Sequence, residues 1–249
     1  RVDSTRVVEG DGPRVTALEY LLGTVSIIVG GSEGSVKQYM LVRDEDNINR
    51  LTFVRDYHAH AAAVTTVAPE YIRKGFATAA EDGSVQLHYS TSARTLESVE
   101  VSDRAVPVIG FAARANALMD VDENERFYYL DVSNPHPEVS LRALWGRIWY
   151  EGRSQTEYVW QSSSATDEFE PKFSLMPLTL GTLKAAFYAM LFAMPLAVFG
   201  AIYSAYFMSP RLRGLVKPSI EVMEALPTVI LGFLAGLWLA PFVEGNLPS

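Results

Sequence analysis

The rhythm of apolar and polar positions changes twice along this chain. From Val15, short β-branched runs alternate with polar positions and are separated by acidic or glycine-bearing clusters. That is the pattern of half-buried strands joined by tight turns. "VTAL" begins at Val15 and "VTTV" at Val64, while "GSV" begins at Gly34 and again at Gly83. Both pairs lie 49 residues apart, so this stretch is predicted to repeat one structural unit. A weaker third copy reads "VPVIGF" from Val106 and "MDVDENERFYYL" from Met119. Asn124 stands there about 41 residues beyond Gly83 and is expected to hold the equivalent turn, because Asn tolerates positive φ better than most residues. From Asn134 the period is lost. "SLRALWGRIWY", starting at Ser140, predicts a short amphipathic helix. From Phe173 apolar residues dominate. The 26 residues between Lys184 and Arg211 carry no charge, nor do the 19 from Ala225 to Val243. They predict helices over about 176–208 and 218–243, each long enough to cross a ~30 Å hydrocarbon core.

Each repeat copy has a β-branched run, an acidic turn and an alternating strand such as "SVQLHY". A period of this length with several strands per unit marks a propeller blade. "FATAAEDGSVQLH" resembles the core of a WD-type repeat without its Trp-Asp pair. Three blades do not close a ring, and the sequence opens on Arg1, not Met, so further blades are expected before it. The predicted fold is multi-domain: an all-β partial β-propeller of about three blades over 1–133, a junction over 134–172, and α-helical transmembrane segments from 173 to 249.

Charge sharpens that division. Lys and Arg number 17 against 26 Asp and Glu through Lys172, but 4 against 3 from Phe173 on, which predicts two physical environments. The acidic first part excludes nucleic acid as an expected partner, since phosphate binding needs a basic face. With no cysteine, disulfides and thiolate metal sites are excluded. Trp145, Trp149, Tyr150, Tyr158 and Trp160 cluster shortly before the apolar part, where they either sit in a headgroup layer or pack as a linker. The loop "SPRLRGLVKP" carries Arg211, Arg213 and Lys217 and no acid, whereas the flank before it holds Asp167, Glu168, Glu170 and Lys172. The positive-inside rule places the basic loop in the cytoplasm and the propeller outside.

Candidate chemistry is sparse. "GGSEG" at Gly30–Gly34 matches the nucleophile-elbow spacing, but a strand follows where a helix is required, and no Lys-Ser/Thr follows to make a phosphate loop. His58 and His60 lack a clear third metal ligand. No catalytic, metal or cofactor site is predicted. Pro195 kinks the first span and frees a carbonyl, which neighbouring helices can cover. Pro227 marks the start of the second, and Gly232 with Gly236 makes a small-xxx-small packing surface. Glu221 and Glu224 lie at the inner end of that span, where ionisable groups line a path or form ion pairs. Pro195, Glu221, Glu224, Pro227 and Gly232 are thus the candidate transport-path or helix-packing positions.

Gly181-Thr182-Leu183, Met194-Pro195-Leu196, the basic loop and above all "KPSIEVMEALPTVILGF" from Lys217 to Phe233 resemble the first core helices of phosphate-type ABC transporter permeases. "EYVWQSSSATDEFEPKFSL" from Glu157 to Leu175 resembles the pre-core segment of a long subclass with a large periplasmic insertion. The resemblance runs from Glu157 to Val243. It implies a multi-pass subunit of a bacterial inner membrane that does no covalent chemistry. Its implied partners are a second homologous permease, cytoplasmic ATPase subunits and a periplasmic phosphate-binding protein. The docking loop and substrate contacts of such permeases fall later than Ser249. A permease for another oxyanion, molybdate or sulfate, and a membrane-anchored propeller without transport are the alternatives.

Overall fold

The computed structural model describes residues 12–43, 47–163, 170–224 and 227–246, the side chains of 223 and 224 excepted. It divides into two compact units, 1–182 and 183–249.

The first unit begins with two four-stranded antiparallel sheets. One runs β1 (Val15–Tyr20), β2 (Ser26–Gly31), β3 (Val36–Arg43), β4 (Asn49–Asp56); the next runs β5 (Val64–Pro69), β6 (Gly75–Ala80), β7 (Ser84–Tyr89), β8 (Arg94–Glu100). In both sheets the strands pair in sequence order, as short hairpin loops dictate. The 49-residue offset extends to irregularities that the sequence does not announce. β1 has a bulge between Val15 and Ala17, and β5 between Val64 and Thr66; opposite Gln38 and Tyr39 of β3 the extra residue is Val54 of β4, and opposite Leu87 and His88 of β7 it is Leu96 of β8. The third sheet has three strands, β9 (Val108–Phe111), β10 (Ala117–Val121) and β11 (Phe127–Asp131). The first strands of the sheets, β1, β5 and β9, lie side by side, so successive sheets fan from a shared edge as propeller blades do.

Apolar faces glue the blades together. Leu21, Ile28 and Val36 of the first meet Val64, Val67 and Phe76 of the second; Ala77, Ala79 and Val85 of the second meet Ile109, Phe111 and Leu118 of the third. The small residues of "GFATAA" let the next sheet approach closely. Gly34 and Gly83 close equivalent β2–β3 and β6–β7 turns with φ of +83° and +81°. A Cβ at Gly83 would drive into the Ser102 carbonyl, and one at Gly34 into the His60 carbonyl. Glycine is therefore required twice over, by the left-handed backbone and by the chain passing overhead. In the third blade the positive φ falls on Glu125, not on Asn124. The Asp122 carboxylate, accepting from the amides of Asn124 and Arg126, sets that turn one residue later than expected.

The junction packs on the blades. Helix α1 (Leu141–Trp145) is capped by the Ser140 hydroxyl on the Ala143 amide and stopped by Gly146, whose backbone is extended. It is thus shorter than the amphipathic run predicts. Ile148 and Tyr150 are buried beyond it, whereas Trp145, Tyr158 and Trp160 keep exposed surface. Tyr150 is accordingly a core residue and not a headgroup anchor. A two-stranded pair, β12 (Trp160–Gln161) with β13 (Lys172–Phe173), leads to the helices.

Candidate functional site

Helix α2 (Met176–Ile202) continues as one π-helical turn, Tyr203–Phe207. This is the one described helix long and apolar enough to cross a membrane. Pro195 lies inside it. The turn ends where the Met208 amide reaches back to the Tyr203 carbonyl (3.0 Å), and the Arg213 guanidinium donates to the carbonyls of Ala205 (2.7 Å) and Met208 (3.4 Å). A cation thus satisfies acceptors left over at a helix C-terminus and complements its partial negative charge.

The basic segment expected as a loop is helical: α3 spans Pro210–Glu224. Pro210 opens it at a position where proline's fixed φ suits a helix start. The second span, expected to be continuous over about 218–243, is broken. Pro227, with φ −59° and ψ 121°, sits in extended backbone before α4 (Thr228–Leu234), which passes through a π-helical turn into α5 (Ala240–Glu244). A proline cannot donate to the preceding turn and disfavours helix at the residue before it, which is how one expected helix becomes two. The apolar part, Thr228–Glu244, has 17 residues and a length of roughly 26 Å.

The sequence-predicted residues do not converge on one point. Glu221 shares a cleft of about 400 Å³ with Arg213, Lys217, Ser204, Ala201, Ala205 and Ile220. Pro195, Pro227 and Gly232 are not among its lining residues. Glu224 ends α3, its side chain outside the described residues, as are Asp167 and Glu168. Among the described residues a Cβ added at Gly232 or Gly236 would meet nothing within 4 Å, so their small surfaces are not used for packing there. What the cleft offers chemically is two cations, the Glu221 carboxylate and the Ser204 hydroxyl beside an apolar wall, with the Ser204 hydroxyl turned to the Met208 sulfur.

Two polar constellations of the first unit were not predicted. In the first, the Lys74 ammonium, 2% exposed, donates to the Glu151 carboxylate (2.6 Å) and to the Leu22 carbonyl. The other Glu151 oxygen accepts from Ser26 (2.6 Å), which Gln38 and Tyr57 extend inward. Arg55 reaches the carbonyls of Ser90 and Trp149, and Glu170 accepts from Thr91 and from the Glu151 amide. Burial pushes the Glu170 carboxyl above its ordinary range, against the pull of the Thr91 hydroxyl. These charges fasten the junction to the first two blades. The sequence signal was the Arg73-Lys74 pair directly ahead of the uncharged "GFATAA".

The second constellation holds His60 and His88, while His58 Nδ1 lies outside it against the Gln86 amide nitrogen (3.4 Å). Asp82 can only accept, so Ser84 Oγ donates to it (2.6 Å) and must accept from His60 Nδ1 (2.6 Å). His60 Nε2 then accepts from Thr78 Oγ1 (2.8 Å), which accepts from His88 Nε2 (2.8 Å), whose Nδ1 accepts from Thr95 (3.0 Å). Both rings are neutral: burial lowers the His60 pKa and takes His88 down to about 3. With one donor and one acceptor each, they fix the direction of every bond in the relay. Their ring nitrogens are fully engaged, and among the described residues no group of three or more His, Asp or Glu is placed to hold a metal.

No protein-family model matches the chain. It is 26% identical over 92 residues to a probable ABC transporter permease protein, YqgH, of Bacillus subtilis strain 168, a match covering 37% of this chain and 30% of that one. The chain thus matches less than a third of the curated relative's length. Among solved structures it is similar to a chain of the mitotic checkpoint complex (14% identical, TM-score 0.42, covering 49% of this chain and 36% of the other). It is also similar to the computationally designed Ika8 protein (20%, 0.39, 47% and 33%) and to Sqt1 from Chaetomium thermophilum (18%, 0.44, 50% and 32%).

Proposed function

We propose that this chain contributes the propeller domain and first membrane helices of a permease subunit in an ATP-driven importer, with phosphate as the substrate. The observation that carries the reading is the distant likeness over 92 residues to a probable ABC transporter permease. The apolar helix Met176–Phe207 and the cations that follow it support that reading. In it the subunit breaks no covalent bond itself. It pairs with a second permease and with cytoplasmic ATPase subunits, and a periplasmic binding protein delivers the anion. The helices after Pro227 form a further crossing once neighbouring helices cover Gly232 and Gly236, and the propeller lies outside the inner membrane.

A second reading, a membrane-anchored propeller that binds partners without transport, is favoured by one observation: a single described helix is long enough to cross. Deleting the gene and measuring uptake of radiolabelled phosphate, with molybdate and sulfate as competitors, separates the readings. Loss of phosphate uptake, restored by the gene and insensitive to the competitors, is expected. Uptake of phosphate, molybdate and sulfate all unchanged favours the anchored propeller, and selective loss of another anion shifts the substrate.

A further inference from the structure

Helix α3 lines the cleft through Arg213, Lys217, Ile220 and Glu221, and its other side carries apolar residues that the cleft does not explain. At 100° per residue Leu212, Leu215, Val216, Ile220 and Val222 fall within an arc of roughly 160°, and the one polar residue within it, Ser219, has its hydroxyl bonded to the Leu215 carbonyl (2.9 Å). Four of the five are exposed, Leu215 at 70% and Val222 at 67%. The opposite arc holds Lys217, Glu221, Gly214 and Pro218. Arg211 stands at one border of the apolar arc and Arg213 at the other, the latter already bonded to the end of the helix before it.

Pro218 tells which face meets water. Lacking an N–H, it leaves the carbonyl four residues earlier, that of Gly214, without its helical partner. Both residues lie in the polar arc, and a Cβ at Gly214 meets nothing within 4 Å. A freed carbonyl is tolerated in water and is costly in hydrocarbon. The Gly214–Pro218 face is therefore the wet one. Fifteen residues, roughly 22 Å of helix, are also too few to cross. Only Met208 and Ser209 separate α3 from the end of the 32-residue apolar helix.

We propose that α3 lies along the surface of the leaflet reached by the end of that helix. Its Leu212–Leu215–Val222 face is sunk among acyl chains, and Arg211 and Lys217 rest on anionic lipid headgroups. Arg211, at the border of the apolar arc, reaches headgroups through its long stem, Lys217 meets them from the polar side, and leaflets rich in anionic lipid attract basic segments of this kind. The helix then acts as a float that fixes the depth and rotation of the crossing helix it is tied to through Arg213. This rests on the membrane reading above and not on transport.

The test uses the whole chain, which has no cysteine, carrying one spin label at a time in vesicles. The vesicles are phosphatidylcholine alone, or phosphatidylcholine mixed with phosphatidylglycerol. Labels replace Leu215, Val222, Gly214 and, as a control within the crossing helix, Phe199. With phosphatidylglycerol present, labels at Leu215→Cys and Val222→Cys should contact oxygen and be shielded from an aqueous nickel chelate, and the label at Gly214→Cys the reverse. Replacing Arg211 and Lys217 with Gln should shift Leu215→Cys toward water in those vesicles, about fivefold per lost cation, and change little in phosphatidylcholine. Water-exposed labels at both Leu215 and Val222, with Phe199→Cys embedded, overturn this proposal alone. So do labels shielded from oxygen and chelate alike, the sign of a protein partner. Phe199→Cys in water overturns the membrane reading as well.

Discussion

Asp120 is the residue least at ease in the first unit. It sits on β10, buried, and among the described residues neither carboxylate oxygen has a hydrogen-bond partner. The equivalent position in the second blade, 42 residues earlier, is Thr78, which is bonded to two histidines. Burial pushes the Asp120 pKa from 3.8 up to about 6. A raised folded pKa means that the fold favours the protonated acid. Its contribution is therefore fully present below about pH 4 and is lost as pH rises through about 6. Asp120→Asn keeps the shape and removes the charge. Between pH 4.5 and 7.5 the wild-type midpoint of thermal unfolding should fall relative to the variant's, a difference on the order of 1 kcal/mol after allowance for solvent screening, or about 2–4 °C. Parallel pH profiles for the two proteins would show that Asp120 is stabilised by something other than protonation. Residue-level features of this kind were hidden in the sequence. The Asp120 carboxylate in "LMDVDE" reads as one more hairpin acid, and only the folded unit shows it buried. Asn124 failed as the turn residue for a related reason, since the Asp122 side chain and not the amino acid at the turn set where φ becomes positive.

Elements were more legible than residues where they repeat, and less so where they bend. Two spacings of 49 residues foretold two equivalent units of several strands each; the structure gives each unit four, paired in sequence order as short hairpins dictate. The helical part was legible from its uncharged runs. Its segmentation was not: Pro227 and Pro210 were each visible, but whether a proline starts, kinks or ends a helix depends on which neighbour takes over the hydrogen bonds. The docking of the junction was invisible, since Lys74 and Glu151 are 77 residues apart and Arg55 and Trp149 are 94 apart. That docking is testable as a coupling. Lys74→Met leaves the Glu151 carboxylate in a nearly dry site with only Ser26, so the single substitution should cost about 3–5 kcal/mol. Adding Glu151→Leu removes the stranded charge, and the pair should recover much of the loss in a double-mutant cycle. Trypsin cleavage after Arg147 and Arg153 in the intact chain should accelerate in the single variant and slow again in the double. Additive losses would mean that the two side chains are independent and that the junction is held by packing alone.

At the scale of the molecule the decisive question is sidedness, and one helix answers it. Ser163 precedes the apolar helix and Ser209 follows it. If that helix crosses, the two lie on opposite sides whatever the segment after Pro227 does. The acidic sequence before the helix, net −9 through Lys172, contrasts with Arg211, Arg213 and Lys217 directly after it. Cations flanking a span set its orientation, and moving them outward against the membrane potential costs about 2.3 kcal/mol per charge for every 100 mV. The helical form of the basic segment strengthens the case, because Arg213 is spent on the carbonyls that end the apolar helix and cannot readily be carried across apart from it. Single cysteines at Ser163→Cys and Ser209→Cys are unambiguous reporters in a chain that has none. In cells with a permeabilised outer membrane, an impermeant thiol reagent should modify Ser163→Cys at once. It should reach Ser209→Cys only after the inner membrane is opened. The opposite order would put the propeller in the cytoplasm and remove delivery of a solute to it from outside. Simultaneous labelling of both would mean that Met176–Phe207 does not cross, and the permease reading would fall with it.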